Sequence, residues 1–174
     1  GAATATDLTD LSGKTDIAVD ATKVTAITGT LADVTAAIIT PATKVTTAGN
    51  VAVTVTGDLT NTDIAALNKI AAATTGKVTA TVDATATQLD ALATAATDAI
   101  TLTVTAGAAT AAQLNALDGK TSVDVTVDAT SVSGAFADLN KVYVTNKANF
   151  AALGDETVTI SDTVTAAQAN TIAK

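Results

Sequence analysis

Five side chains are missing from this chain of 174 residues. It has no Cys, His, Arg, Trp or Met, and its aromatic complement is two Phe and one Tyr. Each absence closes a class of chemistry. Without His or Cys there is no imidazole base, thiolate nucleophile, disulfide or zinc ligand pair, and without Arg there is no bidentate phosphate clamp. With so few rings, no large side chain is available to anchor a conventional interior. The apolar residues, 48% of the chain, are nearly all Ala, Val, Leu and Ile, which implies a thin core of small aliphatic groups. Positive charge is scarce as well: 9 Lys face 17 acidic residues, for a net charge of −8 and a pI near 4.1. Nucleic acids and anionic membranes both require a basic footprint, so neither is an expected partner. An acidic, self-repelling exterior is. No apolar run of about 18 residues occurs, so membrane insertion is not expected. No charged segment followed by an apolar stretch marks a signal peptide, and the chain reads as a mature or excised portion. The near-absence of sulfur-bearing and nitrogen-rich side chains suits a protein made in bulk and lost outside the cell.

What fills the chain instead is repetition. Leu31 to Thr60 aligns without a gap on Phe136 to Thr165, an offset of 105. Ala32-Asp33-Val34 falls on Ala137-Asp138-Leu139, Gly49 on Gly154, and Val53-Thr54-Val55-Thr56 on Val158-Thr159-Ile160-Ser161. A shorter unit lies within the long one. It is marked by a Thr followed three residues later by Asp or Gln and then by an apolar residue. The starts are Thr4, Thr30, Thr60, Thr85, Thr110 and Thr165, with Ala135 in the equivalent place. Thr-x-x-Gln at Thr85/Gln88, Thr110/Gln113 and Thr165/Gln168 is a capping box, in which each side chain satisfies the other residue's free backbone N–H at a helix start. Thr-x-x-Asp at Thr4, Thr30 and Thr60 adds negative charge at the positive end of the helix dipole.

After each cap, apolar residues fall three apart, as in Leu8/Leu11, Ile64/Leu67/Ile70, Leu114/Leu117 and Leu139/Val142, which predicts short helices burying one narrow face. A turn follows, carrying Gly-Lys at Gly13, Gly76 and Gly119, where a left-handed glycine is expected to end the helix. Next comes a β-branched run of period two: Ile17/Val19, Val51/Val53/Val55, Val78/Ala80/Val82, Ile100/Leu102/Val104, Val123/Val125/Val127 and Val158/Ile160. Each predicts a strand with one buried and one wet face. The unit therefore reads cap, helix, turn, strand, turn, with Thr40 to Thr47 and Thr145 to Ala152 adding a turn or second helical segment to the two longer units. A lone unit cannot bury its stripe, whereas stacked units can. The expected fold is a single α/β repeat solenoid over residues 1–174, in units of about 25–30 residues starting near 4, 30, 60, 85, 110, 135 and 165, with a parallel β-sheet on one face and short helices on the other.

Candidate sites follow from that layout. The wet sheet face presents Thr54/Thr56, Thr79/Thr81, Thr101/Thr103/Thr105, Asp124/Thr126/Asp128 and Thr157/Thr159. Such ladders order water, as on ice-binding solenoids, or bond glycans. The plainer reading is that Thr is the best polar β-former for an exposed position. Asp20, Asp83, Asp128 and Asp162 recur after strands, and turn carboxylates from neighbouring coils supply the hard oxygen ligands that Ca2+ prefers. The simpler role for each is to cap its own turn. Gly-Lys-Thr at Gly13 to Thr15 and Gly119 to Thr121 is not a phosphate loop, since it follows a helix instead of opening one and lacks the upstream Gly. No two carboxylates are placed in an apolar pocket that would separate their pKa values. No catalytic residue and no cofactor other than Ca2+ is therefore expected, and the chain reads as a non-enzyme. The two ends are sharper candidates. Thr4, Leu8 and Leu11 begin the stack, and Thr165, Ala169 and Ile172 end it in mid-unit, so an uncovered sheet edge at either end invites association with neighbouring repeats of a longer chain or with another copy, head to tail.

Runs such as Thr-Ala-Ala-Gln-Leu-Asn-Ala-Leu-Asp-Gly-Lys-Thr (110 to 121) and Val-Thr-Val-Asp-Ala-Thr (125 to 130) resemble repeats in very large Ala/Thr/Asp-rich surface proteins of bacteria, including marine cyanobacteria. That resemblance implies an extracellular or cell-surface location and a role as adhesin, surface-layer component or fibre. Together the readings point to a structural, self-assembling segment, with an adhesin-type module that binds glycan, ice or Ca2+ as the alternative.

Overall fold

The computed structural model describes residues 1–173. Their secondary structure begins β1 (Ala2–Thr4), α1 (Ala5–Gly13), β2 (Val19–Ala21), β3 (Ala26–Thr30), α2 (Leu31–Ile38), β4 (Val45–Thr47), β5 (Ala52–Leu59) and α3 (Ile64–Ala73). It continues through β6 (Val78–Ala84), α4 (Ala86–Leu89), β7 (Ala99–Val104), β8 (Ala108–Thr110), α5 (Ala111–Asp118), β9 (Val125–Val127), β10 (Ser131–Gly134), α6 (Phe136–Asn140), β11 (Phe150–Ala151), β12 (Thr157–Ile160) and α7 (Ala166–Ile172). Every strand pairing among the described residues is parallel. The protein is thus an α/β fold built on parallel sheet. Seven strands form the main sheet in the order β1-β3-β5-β6-β7-β9-β11, β12-β10-β8 form a second sheet, and β2-β4 pair alone.

Local chemistry explains where the helices start. Thr4, Thr30, Thr85, Thr110 and Thr165 are N-caps in extended conformation, and the reciprocal box with Gln is complete at Thr85, Thr110 and Thr165. Thr60 differs. Asp63 accepts from the N–H of Thr60 at 2.9 Å, but the chain makes one more turn there and α3 begins after Asp63. The helices are short and the caps lie on the surface, so each contributes about 1 kcal/mol. Packing contributes more. Leu8, Val34, Leu67, Leu89, Leu114 and Leu139 from the helices meet Ile27, Val53, Val82, Ile100, Leu102 and Val125 from the sheet, all buried in one continuous cluster. Full burial of one such side chain stabilises by about 1.5–3 kcal/mol.

Several expectations need correction. Most units carry two strands, not one: β3, β8 and β10 precede a helix, while β2, β7 and β9 follow one, with a sharp bend between the two. Only β6 covers both places in one strand, whereas the long strand β5 follows β4 in its own unit. The missed strands are mostly short, and Ala108-Ala-Thr or Ala2-Ala-Thr gives no period-two signal; ladder hydrogen bonds to the next coil make them strands. Ile17 and Val123 lie outside β2 and β9, and both are exposed. Gly13, Gly76 and Gly119 are not left-handed: the positive-φ glycines are Gly57, Gly107 and Gly154. Helix α1 ends instead by tightening, with the Lys14 N–H bonded to the Leu11 carbonyl at 3.1 Å. The two long units do add helical turns, a 3-10 turn at Pro41–Thr43, and a π turn at Lys141–Thr145 followed by a 3-10 turn at Lys147–Asn149.

Buried polar side chains fasten one coil to the next. Thr121 Oγ1 donates to the Ile100 carbonyl at 2.7 Å and accepts from the Ile100 N–H at 3.1 Å. Asp98 accepts from the N–H groups of Val78 at 2.8 Å and Ala95 at 2.9 Å. In both cases a side chain extends the backbone ladder past the end of a strand, where an unpaired group would cost about 1–3 kcal/mol.

If core packing outweighs capping, Leu114→Ala will lose about 2–5 kcal/mol of stability and Thr110→Ala about 1 kcal/mol, both read from denaturant midpoints. Equal losses would show that the caps hold the fold.

Candidate functional site

Parallel strands in register bring like positions side by side, and the outer face of the main sheet shows the result. Thr4, Thr28, Thr54 and Thr79 make one row across four strands, ended by Ala99. Asp58, Thr81 and Thr101 make a second, and Asp83, Thr103, Thr126 and Ala151 a third. On the smaller sheet Thr110, Ser133 and Thr159 align. The hydroxyl rows are therefore real but short. A register shift between Thr54 and Asp58 in β5 also interrupts the flatness of the sheet.

The turn carboxylates are not brought together. Asp20 stands beside Thr46 and Asp83 beside Thr103, and no group of three metal-ligating side chains forms among the described residues. Two of them accept backbone hydrogen bonds. Asp20 accepts from the Thr22 hydroxyl at 2.7 Å and the Thr22 N–H at 2.9 Å. Those bonds, the hydroxyl's first, hold its carboxyl below the ordinary value. Asp162 accepts from the Phe136 N–H at 2.8 Å, tying the segment after β12 to the start of α6. Asp128 is exposed after β9, and its own N–H donates to the Val104 carbonyl at 2.9 Å. Asp83 keeps one carboxylate oxygen buried with no hydrogen-bond partner.

The ends are organised differently from one another. Thr4 caps α1 by accepting the Asp7 N–H at 3.1 Å; Leu8 is buried, but Leu11 is 52% exposed and Ile17 77% exposed. The buried stripe expected on α1 is thus only half formed, because this helix has a neighbour, α2, on one side only. At the other end Thr165 caps α7, and Ala169 and Ile172 are half-buried. Strands β1 and β11 are the two edges of the main sheet, and β12 is an edge of the second.

Beside β12 lies a feature the sequence reading missed. A cavity of about 270 Å³ is lined by Tyr143, Lys147, Leu153, Glu156, Val158 and Ile172. The Tyr143 hydroxyl donates to Glu156 Oε1, whose other oxygen accepts the Gly154 N–H at 2.9 Å. Burial pushes the Tyr143 phenol far above its ordinary value, and the hydrogen bond to Glu156 and that residue's charge push it further. A signal was available: at the offset of 105 Tyr143 falls on Ile38 and Glu156 on Val51, and these are the only Tyr and the only Glu in the chain. Lys120 shows the opposite case. Desolvation lowers its pKa while the Asp90 charge raises it, and Nζ donates to the carbonyl of Asp90 at 2.9 Å.

No protein-family model, curated protein or solved structure matches this chain.

A raised phenol pKa means that the folded protein favours neutral Tyr143. The stability this contributes is fully present below the unfolded value near 10 and is lost as pH rises through the folded one. Ultraviolet titration is expected to find Tyr143 un-ionised at about pH 11 in the folded protein, and ionising normally in denaturant. A folded midpoint near 10 would refute the half-buried Tyr143–Glu156 pair.

Proposed function

We propose that the chain is a structural segment of an extracellular bacterial surface or filament protein. In this reading it is an α/β solenoid, and its coils continue end to end into further coils, from a longer chain or from another copy. The observation that carries the reading is the polarity of the sheet edges. Among the described residues every pairing in the main sheet is parallel, so its two edges, β1 and β11, point the same way. Each edge offers backbone groups that the opposite edge can pair without reversing direction. Such a contact is heterologous, and repeated it makes an open fibre and not a closed ring. The partly exposed Leu11 and Ile17 at one end and the half-buried Ile160 and Ile172 at the other supply apolar surface for it. A net charge of −8 keeps fibres apart laterally. The extracellular location rests on composition and on the resemblance to bacterial surface repeats, and no catalytic role is assigned to any residue.

A second reading is favoured by the row Thr4-Thr28-Thr54-Thr79. Hydroxyls at the strand spacing of about 4.8 Å suit an adhesin-type module that binds ice or glycan, with Ca2+ as a further candidate ligand at the Asp side chains.

Negative-stain electron microscopy across a concentration series, with and without Ca2+, separates the two readings. Uniform fibres with an axial repeat of about 30 Å, six or seven strands at that spacing, are the expected result. Dispersed particles at every concentration would remove self-assembly and send attention to ice and glycan binding by the Thr face.

A further inference from the structure

The strands of the main sheet change character part-way along it. Strands β1, β3 and β5 each precede a helix, and β2 and β4, which follow one, pair apart. From β7 onward the roles are exchanged: β7, β9 and β11 follow a helix and lie in the main sheet, whereas β8, β10 and β12 precede one and form the second sheet. Strand β6, between α3 and α4, makes the change by filling both places. The ladder is irregular at that point. β5 advances from Thr54 to Asp58 while β6 advances only from Thr79 to Thr81, and Gly57, with φ 87°, lies in the bulge. A bulge bends its strand and increases the local twist.

The helix layer breaks at the same coil. Helix α1 packs on α2 and α2 on α3, and α4 packs on α5 and α5 on α6, but α3 and α4 scarcely meet. Between the end of α3 and the segment after α4 lies a cavity of about 230 Å³, lined in part by Ala72, Thr74, Thr75, Thr94 and Thr97. Asn68 of α3 spans the break. Its Nδ2 donates to the Ala91 carbonyl at 2.8 Å, and its Oδ1 accepts the Ala93 N–H at 2.8 Å. Asn115, at the matching place in α5, donates to the Asp138 carbonyl of the packed helix α6 at 3.1 Å, and its buried Oδ1 has no hydrogen-bond partner. Beneath the break Leu67, Leu89 and Leu92 keep the core continuous, and β5, β6 and β7 keep the sheet continuous.

We propose that this coil is a flexure, at which the stretch through α3 and the stretch from α4 tilt relative to each other: the helix side opens and closes, the sheet is the hinge and the Asn68 amide is the latch. Interlocked side chains resist displacement, and at the break a cavity and one amide stand in their place. Hinges rest on a few residues at the ends of elements, here the bulge around Gly57 and the turn after α3. A solenoid that bends at one place follows a curved support without breaking its sheet. The device serves a stacked fibre and a binding module alike.

Double electron–electron resonance between spin labels tests the flexure, because the chain has no Cys of its own. Labels go on exposed positions two helices apart: Thr6→Cys with Ala65→Cys on α1 and α3, Thr87→Cys with Ala137→Cys on α4 and α6, and Ala65→Cys with Ala112→Cys on α3 and α5, across the break. The crossing pair is expected to give a distance distribution about twice as wide as either of the other two. Asn68→Ala is expected to widen the crossing distribution further and leave the other two unchanged, and Asn68→Asp, which keeps an acceptor for the Ala93 N–H, to widen it less. Equal widths for the three pairs overturn the flexure, and a crossing width that Asn68→Ala leaves unchanged overturns the latch.

Discussion

Parallel pairing is the constraint from which the rest of this molecule follows. Two parallel strands cannot be joined by a tight hairpin, because the chain must first travel back to its starting side, and that return takes a dozen or more residues. Here the return is made by a short capped helix together with a second strand, so Ala26 comes to lie beside Ala2 and Ala52 beside Ala26. Length per unit is thereby limited from below by geometry. The polarity of the edges, the alternation of wet and dry side chains and the alignment of like residues into rows are further consequences of the same choice.

Small side chains make the stack possible and also make it depend on polar fastening. A core of Ala, Val, Leu and Ile fills a thin layer without rings, and Ala5, Ala111 and Ala86, fully or almost fully buried, let helices sit close to the sheet. Gly29 and Gly134, each placed just before a helix start, face the side chains of Ala5 and Ala111 in the preceding coil, where a Cβ would be tight. In so thin a layer the ends of short strands are near water, and Thr74, Asp98 and Thr121 supply the hydrogen bonds that an extended ladder would otherwise provide.

The two long units show how one repeat can carry different side chains at matching places. Strands β4 and β5 recur as β11 and β12 at the sequence offset of 105, although a π turn and a 3-10 turn precede β11 where a single 3-10 turn precedes β4. What changes is the side chains. Where Thr74–Lys77 lies on the first, Val51 and Ile38 are aliphatic; in the second, Glu156 and Tyr143 stand in their places and bond to each other.

Much of this was legible in the residues. Thr-x-x-Gln located three helix starts, because a capping box needs only side chains three apart and no tertiary partner. Alternating Val and Thr in Val78–Ala84 and Ala99–Val104 located the long strands, because a half-buried strand writes its own period. The parallel α/β class followed from both. Other features could not be read locally. Ala108-Ala-Thr is a strand only because Ser131 to Ser133 lies beside it, and Leu11 is exposed although Leu117, its counterpart by repeat, is buried. Nor could the sequence alone separate Asp20, which closes its own turn, from Asp162, which reaches to the next coil. The sequence by itself determined where helices begin, which runs alternate and that the pattern recurs, since these depend on residues a few positions apart. Only the tertiary structure decided which surfaces are covered, which carboxylates stay apart and where a cavity remains, because burial depends on what lies one coil away.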